Sequence, residues 1–274
     1  MKIIEFHGGL GNQIFEYVYF MYLKRKFPNE KFYSYFNKKR LAIHNGFELS
    51  KWFEVEIPPT NNYIYILSEV LFQLNRVLRK IKLPLLGISD DHHLDDSKIL
   101  HEGWYQDKKY FEKVGGPRFI DNIDLGDDNR KILDDILSSN SVSVHIRRGD
   151  FLLPKNVKTV GGICTPEYYV KSIKKICQFI PDAKFFFFSD DPEYVINTYK
   201  ELNKVVVSCN KGERSFYDIY LMSHCKNMIL ANSTFSCWAA YLNQSANVVI
   251  CPPKWNHKEN PDLSLKKWIV VDSI

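Results

Sequence analysis

The first apolar run, Ile3-Ile4-Glu5-Phe6, is short and broken only by one carboxylate, and Lys2 to His7 reads as a buried strand. Gly8-Gly9-Leu10-Gly11 follows as a glycine-rich turn, and from about Asn12 to Phe27 the chain stays apolar long enough to predict a helix. Pro28-Asn29 stops that helix, and the aromatic stretch Lys31 to Phe36 supplies a second strand. Between His44 and Val114 the pattern is irregular, with Pro58-Pro59, Pro84 and the polar cluster Asp90 to Asp96 marking loops.

Gly115-Gly116-Pro117 and an acidic run from Asp121 to Asp128 then mark a composition shift, and the chain is expected to divide into residues 1–136 and 137–274. From Ser141 the grammar is regular. Strands are predicted at Val142 to Arg147, Lys184 to Ser189, Val205 to Cys209, Met228 to Ala231 and Val248 to Cys251. Helices are predicted between them, over Pro166 to Phe179, about Pro192 to Asn203, Ser215 to Cys225 and Thr234 to Leu242. Such alternation predicts an α/β fold with a parallel sheet covered on both faces, and two sheets are expected to face each other across a cleft.

A chain of 274 residues, 45% of them apolar, excludes disorder and fibrous repeats. The net charge of +5 is spread along the chain, which argues against a nucleic-acid binder, and the 15% aromatic content suits a concave surface for a flat or sugar-like ligand. Six cysteines, Cys164, Cys177, Cys209, Cys225, Cys237 and Cys251, form no CxxC motif. The N-terminus lacks a secretory pattern and no stretch has the length of a membrane span, so a reduced, cytoplasmic protein is expected. Ile64 to Leu86 is apolar and carries Arg76, Arg79, Lys80 and Lys82. It has two readings, a core-packed helix with a wet basic face or a peripheral contact on the inner membrane.

Four segments carry candidate chemistry. In His145-Ile146-Arg147-Arg148-Gly149-Asp150, Val142, Val144 and Ile146 share one strand face while His145 and Arg147 share the other. Two arginines thus leave the C-terminal end of a strand, where open parallel sheets bind ligands, and a guanidinium fork suits a pyrophosphate. A structural ion pair with Asp150 is the alternative. Met228 to Ser236 is a hydrophobic strand ending in Asn232, Ser233, Thr234 and Ser236 as a helix begins, an arrangement that fits phosphate contact or plain helix capping. Phe185 to Asp191 puts Ser189 and Asp190 on the same rim, in reach of a ribose or purine edge, with Asp191 a candidate cap for the next helix. Gly8 to Gln13 presents Asn12 and Gln13 at a helix start. Its Gly9-x-Gly11 invites a dinucleotide reading, but Ile14 stands where the third glycine belongs.

The Asp90 to Asp96 cluster has metal-ligand residue types in a polar loop, and a solvated loop is the expected reading. No Walker A, HExxH, GxSxG or Asp-x-Asp motif occurs. Lack of Asp-x-Asp disfavours a metal-bridged nucleotide diphosphate and leaves Arg147 and Arg148 as the charge neutralisers.

Taken in order, these segments resemble the family 11 glycosyltransferases, the bacterial α-1,2-fucosyltransferases, over nearly the whole chain. Gly8 to Phe15 is similar to that family's opening GGLGNQ-F motif, His44 to Leu49 to its HNGFEL segment, and His145 to Asp150 to the HxRRGD motif of enzymes using GDP-fucose. Ser189-Asp190-Asp191 and Asp218 to Asn243 fit as well, with a departure at Cys237-Trp238-Ala239-Ala240 expected to alter packing.

The resemblance implies a GT-B fold of two Rossmann-like domains, an inverting mechanism without metal or other cofactor, and GDP-β-L-fucose held by residues 137–274. By analogy Arg147 and Arg148 contact the diphosphate, with Asn232, Ser233, Thr234 and Ser236 beside it, His145, Ser189 and Asp190 toward ribose or guanine, and Asp150 orienting the arginines. Residues 1–136 are the acceptor side, with Gln13, His44, Asn45 and Glu48 the candidates for a galactose-like sugar, free or lipid-linked. Asn12 is placed at the reacting centre as an orienting residue, since an amide is a poor base and the leaving phosphate can itself take the acceptor proton. A nicotinamide-dependent oxidoreductase and a non-catalytic nucleotide- or sugar-binding module are the rival readings.

Overall fold

The computed structural model describes residues 1–272, in two compact units, Met1–Asp121 and the residues from Asn122 onward. The division falls ahead of the expected 136/137 boundary, because the helix Gly126–Ser138 packs in the second unit. Its acidic start reads in the sequence only as a composition shift. In the structure Asp127 and Asp128 occupy the first helical turn, where carboxylates oppose the positive end of the helix dipole.

The first unit holds strands β1 (Lys2–Phe6), β2 (Phe32–Phe36), β3 (Phe53–Glu54), β4 (Ile88–Ser89), β5 (Leu100–His101) and β6 (Arg118–Phe119). Four form a parallel sheet in the order β2-β1-β5-β4, while β3 and β6 pair antiparallel. The helix Leu10–Lys26 follows β1 at once and buries Leu10, Ile14, Phe15, Val18 and Leu23. The strands β3 to β6 have two residues each, too short for any period-two pattern to announce them.

The second unit holds β7 (Ser141–Ile146), β8 (Lys184–Ser189), β9 (Lys204–Val207), β10 (Asn227–Ile229), β11 (Val248–Cys251) and β12 (Ile269–Val270). All six run parallel, in the order β12-β11-β10-β7-β8-β9. Val142, Val144 and Ile146 pack with Phe185 and Phe187 on one face. Phe186 and Phe188 are equally buried on the other, as a central parallel strand requires. The helices Pro166–Phe179 and Thr234–Leu242 are bounded as the sequence predicts, each capped by a hydroxyl, Thr165 and Ser233. Trp238, in the segment that departs from the family pattern, is wholly buried beside Tyr241 and is a packing residue.

Both sheets change winding direction beside their first strand. In the second unit the chain runs from β7 to β8 and β9 on one side, then returns to β10 on the other. In the first it runs from β1 to β2, crosses to β4 at the far edge, and comes back to β5 on β1's other side. Such switch points leave a crevice beyond the C-terminal ends of the two strands, the usual ligand position in open α/β sheets. The Arg147-Arg148 loop and the Gly8 to Gly11 turn each leave a strand at a switch point.

Candidate active-site residues

Beyond β7, Arg147 Nη2 lies 2.7 Å from Asp150 Oδ1 and Nη1 lies 3.0 Å from Asp190 Oδ2. Arg148 Nε lies 2.9 Å from Asp191 Oδ2, and the Arg148 backbone N–H donates to Asp190 Oδ1 at 2.9 Å. The Arg148 guanidinium also lies over the Tyr194 ring, 3.7 Å from its centre. Both guanidinium groups are ion-paired, yet their side chains stay 36% and 30% exposed, so each keeps donors open toward a ligand. Asp191 serves two partners, accepting from the Tyr194 N–H to cap a helix while the Arg148 guanidinium holds its carboxyl below the usual range. The Asp191–Arg148 pair and the Tyr194 platform are not legible in the sequence, where Asp191 reads as a cap alone. Gly149 leaves room for the Asp190 carboxylate: a Cβ there would lie 2.8 Å from Asp190 Oδ2.

His145 is buried within the sheet, its ring 5.6 Å from that of Phe235 and its carbonyl accepting from the Tyr169 hydroxyl. Burial, with Arg147 adding to it, pushes its imidazole down to about 3, so the ring is neutral at pH 7. Its Nδ1 has no hydrogen-bond partner among the described residues.

Beyond β10 the hydroxyl cluster divides. Ser233 accepts from the Phe235 N–H, and Ser236, wholly buried, donates to the Ala231 carbonyl. Asn232 is buried, with its amide donating to Val160 and Trp255 carbonyls. Ser236 and Asn232, expected among the donor contacts, therefore brace the loop. Thr234 is half-buried, and its hydroxyl has no partner among the described residues. Ser189 accepts from the Asp191 N–H, which fixes the turn carrying Asp190 and Asp191.

In the first unit Gly8 has φ +73°, and a Cβ there would lie 2.8 Å from the Trp104 ring. Asn12 sits beside this turn and accepts at Oδ1 from Gln106 Nε2 at 3.0 Å, a bond that spans the β1/β5 switch point. Gln13, expected to touch the acceptor, is wholly buried instead. Its Nε2 donates to the Gly8 and Gly46 carbonyls and its Oε1 accepts from the Glu48 N–H. Gln13 thereby fastens the His44 to Glu48 segment to the glycine turn. There Asn45 donates to Glu48 Oε1 at 3.3 Å, His44 is exposed and stands against Gly9, and Glu48 is buried. Trp104 and Gln106 carry no motif, and only the fold brings them to Asn12.

Beneath the turn lies a buried polar group. His7 Nδ1 is 2.8 Å from Glu16 Oε1, and Arg40 reaches Glu5 at 3.4 Å. Burial pushes Glu5 up to about 7, raises Glu16 strongly and lowers His7 to about 2. The Asp90 to Asp96 cluster is a loop exposed at residues 91–94, as expected, but its carboxylates are engaged: Asp90 pairs with Arg79 at 2.8 Å, Asp91 accepts from the Trp104 and Tyr105 N–H groups, and Asp96 accepts from Tyr19, Tyr22 and Lys26. These carboxylates tie the loop to the Leu10–Lys26 helix and to the segment bearing Trp104 and Gln106.

The fold is that of solved fucosyltransferases. The structure of fucosyltransferase NodZ from Bradyrhizobium aligns over 90% of this chain and 93% of its own, with TM-score 0.51 at 12% identity. The NodZ α-1,6-fucosyltransferase co-crystallized with GDP aligns over 90% and 92%, with TM-score 0.51 at 11% identity. The class is thus an α/β, GT-B-type glycosyltransferase fold. The family described as "Glycosyl transferase family 11" matches residues 1–272, and the chain belongs to that family. Among its relatives are an α-1,2-colitosyltransferase of Escherichia coli, 30% identical over 287 residues and covering 97% of each chain, and the O-antigen biosynthesis glycosyltransferase WbnK of Escherichia coli, 29% identical over 90% of this chain and 68% of the relative. Family membership replaces the nicotinamide reading with glycosyl transfer.

Proposed function

We propose that this protein transfers L-fucose from GDP-β-L-fucose, with inversion, to the 2-hydroxyl of a galactose-like terminal sugar during surface polysaccharide or oligosaccharide synthesis. The observation that carries this reading is the pair of carboxylate-held guanidinium groups, Arg147 and Arg148, beyond the C-terminal end of β7. Leaving-group charge develops on the diphosphate as the glycosidic bond breaks. Fixed cations aimed at that charge lower the barrier without reorganising during the step. Asp150, Asp190 and Asp191 hold the two side chains in place beforehand, and the ligand completes their hydrogen bonding. Thr234 and the N–H groups at the start of the Thr234–Leu242 helix are the further donors. With the diphosphate neutralised by arginines, the transfer needs no divalent cation.

On the acceptor side, Asn12 orients the attacking hydroxyl, and His44, Asn45 and Glu48 select the sugar. Asn12 is no base, and burial makes His145 too weak a base to collect the proton from an acceptor, so the departing phosphate receives it. GDP-colitose is the second donor, favoured by the colitosyltransferase relative, because colitose is a deoxy form of fucose.

The test incubates the protein with GDP-β-L-fucose and a terminal β-galactoside in the presence of a chelator, following GDP release and solving the product linkage by NMR. An α-1,2-linked product supports the reading. Chelator-abolished transfer would remove the metal-free part, a different linkage the regiochemistry, and exclusive use of GDP-colitose the donor. GDP binding without transfer to any galactoside would leave a binding module.

A further inference from the structure

Exposed large apolar side chains concentrate on one element, the helix Asn62–Lys80 and the turn that follows it. This helix already buries a face, where Ile64, Leu67 and Leu71 pack against Ile3, Tyr35, Ile88 and Leu100. It carries a second apolar stripe that nothing among the described residues covers: Tyr63, Ile66, Val70, Leu74, Val77 and Ile81 follow one another at intervals of three and four. Ile66 is 62% exposed, Val70 57%, Val77 56% and Ile81 58%. The reading as a core-packed helix with a wet basic face describes only the packed side, since the outward face is apolar as well, which leaves the reading as a peripheral membrane contact.

Its charges decide what would cover the stripe. Arg76 and Lys80 stand one turn apart on the adjoining face, with Lys82 just past the helix, and none of the three is ion-paired among the described residues. Arg79 is turned away, to Asp90 at 2.8 Å and Glu102 at 3.0 Å. Glu69, the one acid in the helix, accepts from the core residue Tyr35. The outward surface is therefore an apolar stripe edged by unpaired cations, as on helices that lie in a membrane interface. A second copy of this helix would bring those cations no free acid, since its Glu69 is engaged with Tyr35, whereas an anionic bilayer supplies both an apolar layer and the opposite charge. No helix among the described residues is long and apolar enough to cross a membrane, so the contact is with the surface.

We infer that this stripe, with Arg76, Lys80 and Lys82 beside it, docks the chain on an anionic lipid bilayer. The inference rests on surface chemistry and stands apart from the donor and acceptor proposed above. Co-sedimentation of the full chain with phosphatidylglycerol–phosphatidylethanolamine vesicles, against phosphatidylcholine alone, tests it. Wild-type protein pellets with the anionic vesicles, and added salt releases it. The double variant V70Q/V77Q stays in the supernatant. R76Q/K80Q binds anionic vesicles more weakly by about five-fold per cation removed, the factor for one basic residue near an anionic surface. Unchanged thermal unfolding shows that both variants fold. Wild-type protein that ignores anionic vesicles, or V70Q/V77Q that binds them as well as wild type, overturns the inference. So does a wild-type dimer in solution that V70Q/V77Q converts to a monomer while vesicle binding is absent, which would give the stripe to a second copy.

Discussion

Gln106 Nε2 donates to Asn12 Oδ1 at 3.0 Å, and the bond fixes which end of the Asn12 amide stays available. With Oδ1 engaged, the open group is the Nδ2 amine, a hydrogen-bond donor. Asn12 would therefore present an N–H donor to a ligand, in keeping with the orienting role proposed for it.

Asn12→Ala is expected to lower kcat by about 100-fold or more at saturating donor and acceptor, the usual scale for losing a positioned donor at a reacting centre. Gln106→Leu leaves Asn12 in place with its amide free to turn, and a loss of about 10-fold in kcat with little change in either KM is expected. Steady-state kinetics with both substrates varied separates these outcomes. Near-normal turnover of N12A would remove Asn12 from the reaction.

Arg147→Lys is expected to behave almost as badly as Arg147→Ala, because a lysine cannot span Asp150, Asp190 and a phosphate from one planar fork. Binding to the folded state alone raises the melting temperature, so GDP-induced stabilisation reports the loss directly. Most of the wild-type shift should vanish in both variants while their ligand-free melting temperatures stay close to wild type.

Gly149→Ala tests the carboxylate support without touching an arginine. The new methyl falls 2.8 Å from Asp190 Oδ2, so the carboxylate must move and Arg147 loses one of its two partners. GDP affinity is expected to fall roughly 5- to 10-fold, the scale of one charge-assisted hydrogen bond. Isothermal titration measures it.

The second unit was legible from Ser141 onward because its strands and helices have the lengths at which periodicity speaks. Lys184–Ser189, Pro166–Phe179 and Thr234–Leu242 fall where the pattern puts them. The irregular stretch between His44 and Val114 was not legible, since two-residue strands carry no period and are held by neighbours distant in sequence. The same division runs through the candidate site. Arg147, Arg148, Asp150 and Asp190 follow directly on long strands, whose pattern puts them on one rim; the pairing of Asp190 with Arg147, where a ribose or purine contact is expected, comes only from the structure. Gln106, Trp104 and Tyr194 gain their places only from tertiary packing. Gln13, Asn232 and Ser236 have the residue types of ligand contacts, and nothing local reveals that backbone groups occupy their polar atoms.

Asp218 gives the second unit a pH dependence. It is half-buried, with Asn210 Nδ2 donating to Oδ1 at 2.9 Å, and desolvation of the carboxyl pushes it up to about 7. An unfolded aspartate titrates near ~3.9, so between the two values the folded chain holds a proton that the unfolded chain has released. The contribution is full below the unfolded value, declines as pH rises by at most about 1.4 kcal/mol per unit, and is lost through the folded value. Asp218→Asn keeps an acceptor for Asn210 and removes the titration. Urea unfolding from about pH 5 to about pH 8 should show a flatter profile for the variant and greater stability than wild type at the upper end. Parallel profiles would mean that Asp218 does not titrate in this range.

The grip proposed for Arg147 and Arg148 on a nucleotide diphosphate is tested most directly by calorimetric titration of GDP into wild type and R147A/R148A. The account predicts saturable binding to wild type and an affinity at least about 100-fold weaker in the double variant, the sum of two charge-assisted contacts. A double variant that folds and binds GDP as tightly as wild type would contradict it.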